Sequence, residues 1–344
     1  MNSPGSHLNR AISVAPMLDW TDRHCRYFMR LLTQHSVLYT EMVTTGALIF
    51  GKGDYLRFHQ QEHPVALQLG GSDVSDMRRC AEMAQHRGYD EVNINVGCPS
   101  DRVQNGRFGA CLMAEPQTVA DCVSSMQAAV DIPVTVKSRI GIDDMDEYED
   151  LSRFIDTVAS AGCTTFIVHA RKAWLQGLSP KQNREIPPLM YDRVYQLKSE
   201  FPDLHISING GIKTLEEAKA HLQHVDGVMI GREAYANPFM LSEVDHVIYG
   251  EQPSVLGREQ VVEQMIDYAK QEIAASDCRI WHIARHMLGL FQGQPGGRHW
   301  RRHLSQHGTK RDADHTLLKD ALNAVLQAQA AAESFTQSRS SEFS

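Results

Sequence analysis

One cysteine in this chain stands where a thiol can do chemistry. In Asn95-Val96-Gly97-Cys98-Pro99-Ser100, a β-rich apolar run ends in a turn that Gly97 and Pro99 make rigid around the Cys98 thiol. Near neutrality an ordinary thiol carries its proton and can act as an acid. No Cys–His–Asn set accompanies it, which argues against a protease-like nucleophile. Other polar residues close comparable runs: Pro16-Met17-Leu18-Asp19, Glu41, Gln68, Asn93, Lys137 and Arg139, His169 and Arg171, Asn209-Gly210-Gly211, and Gly231-Arg232. The two glycine turns let backbone N–H groups approach phosphate oxygens, and Thr214-Leu-Glu-Glu offers a helix start nearby. Together they predict an anchored, phosphate-bearing cofactor, with Lys137, His169 and Gln68 placed to hydrogen-bond its ring or side chain.

Those residues need a scaffold that gathers strand ends. Short apolar runs at 12–17, 37–42, 65–69, 92–96, 134–138, 165–169, 205–209 and 228–230 alternate with helix-like stretches, among them 76–87, 118–130, 147–161 and 215–221. The alternation predicts an α/β fold, a (β/α)8 TIM barrel, whose function gathers at the C-terminal ends of the strands. A doubly wound open sheet is the structural alternative, but Ala15-Pro16-Met17 cannot serve as its glycine-rich first turn. The segment 250–254, Gly-Glu-Gln-Pro-Ser, reads as a linker, and 258–275, 280–291 and 312–332 read as helices with no strand signal. The expected layout is a tail at 1–10, the barrel at 11–249, a smaller all-helical domain at 250–332 and a tail at 333–344.

The chain has 344 residues, 42% hydrophobic and 22% charged, the balance of a globular enzyme. No apolar run approaches the roughly 18–20 residues of a membrane span, and the polar N-terminus lacks the apolar stretch of a signal peptide. Seven cysteines, widely spaced and without a C-x-x-C pair, point away from a zinc ribbon or an iron–sulfur cluster, and suit a reducing cytoplasm. We expect no metal. The net charge of −8 hides an exception: residues 279–311 contain no Asp or Glu, but seven Arg and Lys, five His, Trp281 and Trp300. Such a stretch marks a polyanion footprint, with Arg and Lys on phosphates and aromatics stacking on unpaired bases. The glycine-rich loop 293–297 is expected to present Arg298, Arg301 and Arg302.

Ala15-Pro16-Met17, Asn95-Val96-Gly97-Cys98-Pro99, Val136-Lys137, His169-Ala170-Arg171, Asn209-Gly210-Gly211 and Gly231-Arg232 resemble the tRNA-dihydrouridine synthases. Stretches 15–30, 104–113 and 182–188 are similar to the bacterial DusA subfamily in particular. The resemblance implies FMN as cofactor and NADPH as reductant, with Pro16, Met17, Leu18, Gln68, Lys137, His169, Asn209, Gly210, Gly211, Gly231 and Arg232 around the flavin. It implies Cys98 as proton donor, Asn95 as a contact to the target uracil, and uridines 20 and 20a of the tRNA D-loop as targets. It supports tRNA contact at Arg184 and in the helical domain; a monomer is the default expectation. Two other readings stay open: an FMN barrel reducing a free pyrimidine, and a non-catalytic RNA-binding barrel.

Overall fold

The computed structural model describes residues 8–100, 103–104, 106–254 and 256–342, with side chains as far as residue 332. The expected tail at 1–10 therefore lies mostly outside the described residues.

Eight parallel strands close into a barrel in chain order: β1 (Ile12–Val14), β2 (Val37–Thr44), β3 (Val65–Gly70), β4 (Glu91–Val96), β5 (Val134–Arg139), β6 (Thr165–His169), β7 (His205–Asn209) and β8 (Gly227–Ile230). Closure is made by β1 pairing with β8, Val14 opposite Ile230. The helices that alternate with these strands along the chain are α1 (Arg23–Arg30), α2 (Thr45–Phe50), α3 (Val74–Arg87), α4 (Pro116–Gln127), α5 (Tyr148–Ser160), α6 (Tyr191–Glu200) and α7 (Leu215–His221). Local signals set their ends. Asp73 caps α3 by accepting from the N–H groups of Ser75 and Asp76, and Gly88 ends it at φ +95°. Thr214 and Glu217 form a capping box at α7.

The period-2 alternation of a strand divides its residues between two environments. On β4, Val92, Ile94 and Val96 are fully buried apolar residues, while Glu91, Asn93 and Asn95 share the inner face with side chains of β3 and β5. Elsewhere the interior is apolar: Ala15, Val37, Tyr39, Ala66, Ile167 and Met229 pack together, with Met17 against them. At the base, Arg10 pairs with Glu91 at 2.6 Å, and Glu91 also accepts from the Tyr39 and Thr135 hydroxyls.

The chain divides into two compact units. The first comprises residues up to 23 and 35–231, and holds the barrel; the second comprises 24–34 and 232–344. In the second unit α1 packs with α8 (Arg232–Ala236), α9 (Val244–Val247), α10 (Arg258–Ala275), α11 (Ile280–Ala284), α12 (Gly297–His307) and α13 (Thr316–Glu342). The Asp245 carboxylate ties α1 in, accepting from the Thr33 hydroxyl and the Gln34 N–H at 2.6 Å each. No helix among the described residues is long and apolar enough to cross a membrane.

Candidate active site

The turn after β4 is clamped at every peptide group. The N–H groups of Gly97 and Cys98 donate to Asn95 Oδ1 at 3.1 and 2.9 Å. The Cys98 carbonyl accepts from Ala110 N–H at 2.9 Å. The Gly97 carbonyl accepts from Arg139 Nε at 2.8 Å, and the Pro99 carbonyl from Gln104 Nε2 at 2.8 Å. Gln104 also donates to the Leu175 carbonyl at 2.6 Å, tying this turn to the loop after β6. Of the seven cysteines only Cys98 and Cys111 are partly exposed; the other five are buried. The Cys111 thiol is directed at the Phe108 carbonyl, 3.1 Å away, whereas the Cys98 thiol, among the described residues, contacts Ser100 Oγ at 3.5 Å.

Strand register sets Asn95 opposite Lys137, and, two residues further along β5, Arg139 opposite His169 and His169 opposite Asn209. Burial, with Arg139 nearby, lowers the Lys137 ammonium to about 7. No described residue forms an ion pair with Lys137. Burial, reinforced by Arg139, Lys137, Arg171 and Arg184, holds His169 well below the usual imidazole range, so the ring is neutral. Its Nδ1 accepts from Arg171 N–H at 3.2 Å, which puts the ring proton on Nε2 and makes that edge a donor.

Gly210 and Gly211 have φ of +122° and +75°. A Cβ on Gly211 would lie 2.6 Å from Leu189 Cδ1, and one on Gly210 3.2 Å from His169 Cε1, so both positions require glycine. The Tyr191 hydroxyl donates to the Gly210 carbonyl at 2.8 Å, which turns the backbone N–H groups of this loop elsewhere. The helix start behind it is self-satisfied: the Glu217 carboxylate accepts from Lys213 and Thr214 N–H. The first N–H groups of α7 are thus engaged within the helix start itself. Gly231 leaves room above Ala15, whose Cβ is 3.7 Å from the added carbon, and Arg232 is exposed as the first residue of α8 in the second unit.

Two residues expected at a cofactor are already engaged. Gln68 is 1% exposed, donating to Asn93 Oδ1 and accepting from Asn95 Nδ2. Asn209 Nδ2 donates to the Met229 carbonyl at 2.7 Å, bracing β7 against β8. Pro16 and Met17 are half-buried and Leu18 is 67% exposed, on a turn held by Thr21, which accepts from Met17 N–H at 2.9 Å. Arg184 is exposed at the end of a short 3-10 turn, Gln182–Arg184.

In the second unit Arg298, Arg301 and Arg302 are exposed as expected, but they ride on α12, not on the loop. Gly296, at φ +81°, delivers the chain into that helix. Its first turn has no acidic residue, an unfavourable match to the helix dipole. Trp300 does not stack outward as expected. It is fully buried, donates from Nε1 to the Met287 carbonyl at 2.7 Å and packs on Phe291. The rule that a Trp among basic residues reads bases failed here because an indole so large is more often drawn into a core.

Sequence reasoning missed Arg139 as a clamp, Gln104 as a tie and the polar column below Asn95. The alternation of polar 91, 93, 95 with apolar 92, 94, 96 was the available signal for the last.

A closed barrel with a clamped thiol, a neutral imidazole donor, a buried lysine and two glycine turns at its strand ends has the build of the (β/α)8 enzymes. The profile of the dihydrouridine synthase (Dus) family matches residues 13–327, and the chain belongs to that family. It is 63% identical over 319 residues to the tRNA-dihydrouridine(20/20a) synthase of Shewanella oneidensis, covering 93% of this chain and 95% of that protein. Identity is also 63% over 315 residues to the enzyme of that name from Vibrio cholerae (91% and 96% covered) and over 320 residues to that from Escherichia coli strain K12 (93% and 92%). Among solved structures, a 2-naphthoyl-CoA reductase in complex with 2-naphthoyl-CoA shares the fold at a TM-score of 0.53 and 10% identity, covering 68% of this chain and 49% of that one.

Proposed function

We propose that this protein reduces the C5–C6 bond of uridines 20 and 20a in the tRNA D-loop to dihydrouridine, with FMN as cofactor, NADPH as reductant and Cys98 as proton donor. The donor set suits FMN. Lys137 and the His169 Nε2–H would donate to an acceptor-rich ring, and the turns at Gly210-Gly211 and Gly231, with Arg232, would offer N–H groups and charge to its phosphate. Pro16, Met17 and Leu18 supply apolar contact, while Gln68 and Asn209 support the floor and wall of the site.

Held by Lys137, His169 and the glycine turns, reduced FMN would supply the hydride chemistry at C6. The chain's residues do the rest. A target base must leave its stack to reach the barrel mouth. Asn95 keeps one amide N–H beyond its bond to Gln68, available to a uracil carbonyl. As negative charge develops over C5 and the C4 carbonyl, the Cys98 thiol gives its proton to C5, and the thiolate formed is reprotonated from solvent. Arg184 and the face of Arg298, Arg301 and Arg302 neutralise tRNA phosphates. A monomer working in the cytoplasm, without a metal ion, completes the reading.

The observation that carries this proposal is the clamped, partly exposed Cys98 thiol on the turn after β4, within electrostatic reach of Lys137, which in turn acts on His169. The decisive test is anaerobic addition of unmodified tRNA to the photoreduced protein. Return of oxidised-flavin absorbance with tRNA, and not with free uridine, is expected. Return with a free pyrimidine alone would transfer the reading to a small-molecule reductase, and a colourless protein would leave only RNA binding.

A further inference from the structure

The inner wall of the barrel holds an unbroken column of hydrogen bonds from its base to the Cys98 turn. Resting on the reading of Cys98 as the acid, we propose that the Glu91 carboxylate fixes the direction of every amide in that column, which makes Thr135 and Asn93 positioning residues for the proton donor.

A carboxylate only accepts. Glu91, fully buried and paired with Arg10 at 2.6 Å, accepts from Thr135 Oγ1 at 2.7 Å. Thr135 thereby uses its one proton and can only accept from above, which it does from Asn93 Nδ2 at 2.8 Å. Asn93 must then turn its oxygen upward, where it accepts from Gln68 Nε2 at 2.7 Å. Gln68 in turn presents Oε1 to Asn95 Nδ2 at 2.8 Å. Asn95 is left with its oxygen towards the N–H groups of Gly97 and Cys98, at 3.1 and 2.9 Å. Each amide taken alone has two orientations of similar shape. The anion at the base removes that degeneracy, because reversing any one would set N–H against N–H in a site with almost no water. Thr135 and Asn93 are fully buried, too deep to touch a substrate, so they act on the thiol only through this column.

The test uses the full-length protein as purified. Thr135→Val keeps the shape and removes the hydroxyl; Thr135→Ser restores it. Two quantities are followed: the pH profile of Cys98 alkylation by iodoacetamide, resolved from Cys111 by peptide mass, and kcat and KM for tRNA. Thr135→Val should move the Cys98 profile by about 0.5 pH unit or more and lower kcat about tenfold, with KM held within about twofold, and Thr135→Ser should restore both. An unchanged profile and kcat in Thr135→Val, or a serine variant as impaired as the valine one, overturns the proposal. Should the valine variant fold poorly, Asn93→Leu makes the same test, since it has the shape but neither donates to Thr135 nor accepts from Gln68. A moved profile with normal turnover upholds the column and removes Cys98 from the role of acid, so the two readings fail separately.

Discussion

Arg139 Nε donates to the carbonyl of Gly97 at 2.8 Å, so the residue next to the Cys98 thiol hangs from a buried cation on the neighbouring strand. The same guanidinium donates from Nη1 to the carbonyls of Lys172 and Asn183 at 3.1 and 3.2 Å. It thus joins the loops after β4 and β6 with one rigid fork. Replacing Arg139 with Met leaves these carbonyls unpaired and should destabilise the barrel by on the order of 2–3 kcal/mol, read from urea midpoints. Lysine should rescue little, because a single ammonium cannot span carbonyls on both loops.

Removing the Cys98 thiol tests the acid directly. General acid catalysis contributes about 10²–10⁴-fold, so Cys98→Ala should raise the barrier by about 3–5 kcal/mol. Flavin absorbance should stay at its normal ratio to protein. Near-normal turnover by the alanine variant would end the thiol's part in the reaction.

The cation at Lys137 makes stability depend on pH. Its pKa falls from the usual 10.5 to about 7 in the folded chain, chiefly through burial. Between those values the unfolded chain holds a proton that the folded chain has released, so stability rises with pH across that window; below about 7 the burden of the buried charge is fully present. In protein stripped of its cofactor, urea midpoints should climb from neutral towards alkaline pH, and Lys137→Met should flatten the climb. A slope equal in both would place the titration elsewhere.

Charge reversal on α12 separates RNA contact from chemistry. Arg301→Glu with Arg302→Glu should weaken tRNA binding and reduce the slope of log K against log salt by roughly one to two, while flavin content remains normal. Filter binding over a salt series measures this; an unchanged slope would remove these residues from the interface.

Eight strands were legible because each carries a short apolar run, and α7 and α10 match their expected bounds, since Thr214 and Gly250–Ser254 punctuate the chain clearly. The apolar run of β1 was read to residue 17, but the ladder with β8 stops at Val14, where Ala15-Pro16 begins the turn towards the mouth. Helix α12 escaped notice because its buried face consists of little more than Gly297, Trp300 and Leu304, among basic residues that read as a loop. The roles of Cys98, Lys137 and the Gly210-Gly211 turn could be argued from residue types. Those of Arg139, Gln104 and Thr135 could not, for their bonds join residues 42, 71 and 44 positions apart.

The sealing of Trp300 shapes what the second unit can know about a nucleic acid. With that indole committed to Met287 and Phe291, the face bearing Arg298, Arg301 and Arg302 offers guanidinium groups and no ring from Trp300. On the proposed tRNA reading, such a face would gauge the spacing of a sugar–phosphate strand and be indifferent to the letters written on it. On that reading, choosing one nucleoside from among its neighbours would be left to the opening above Asn95.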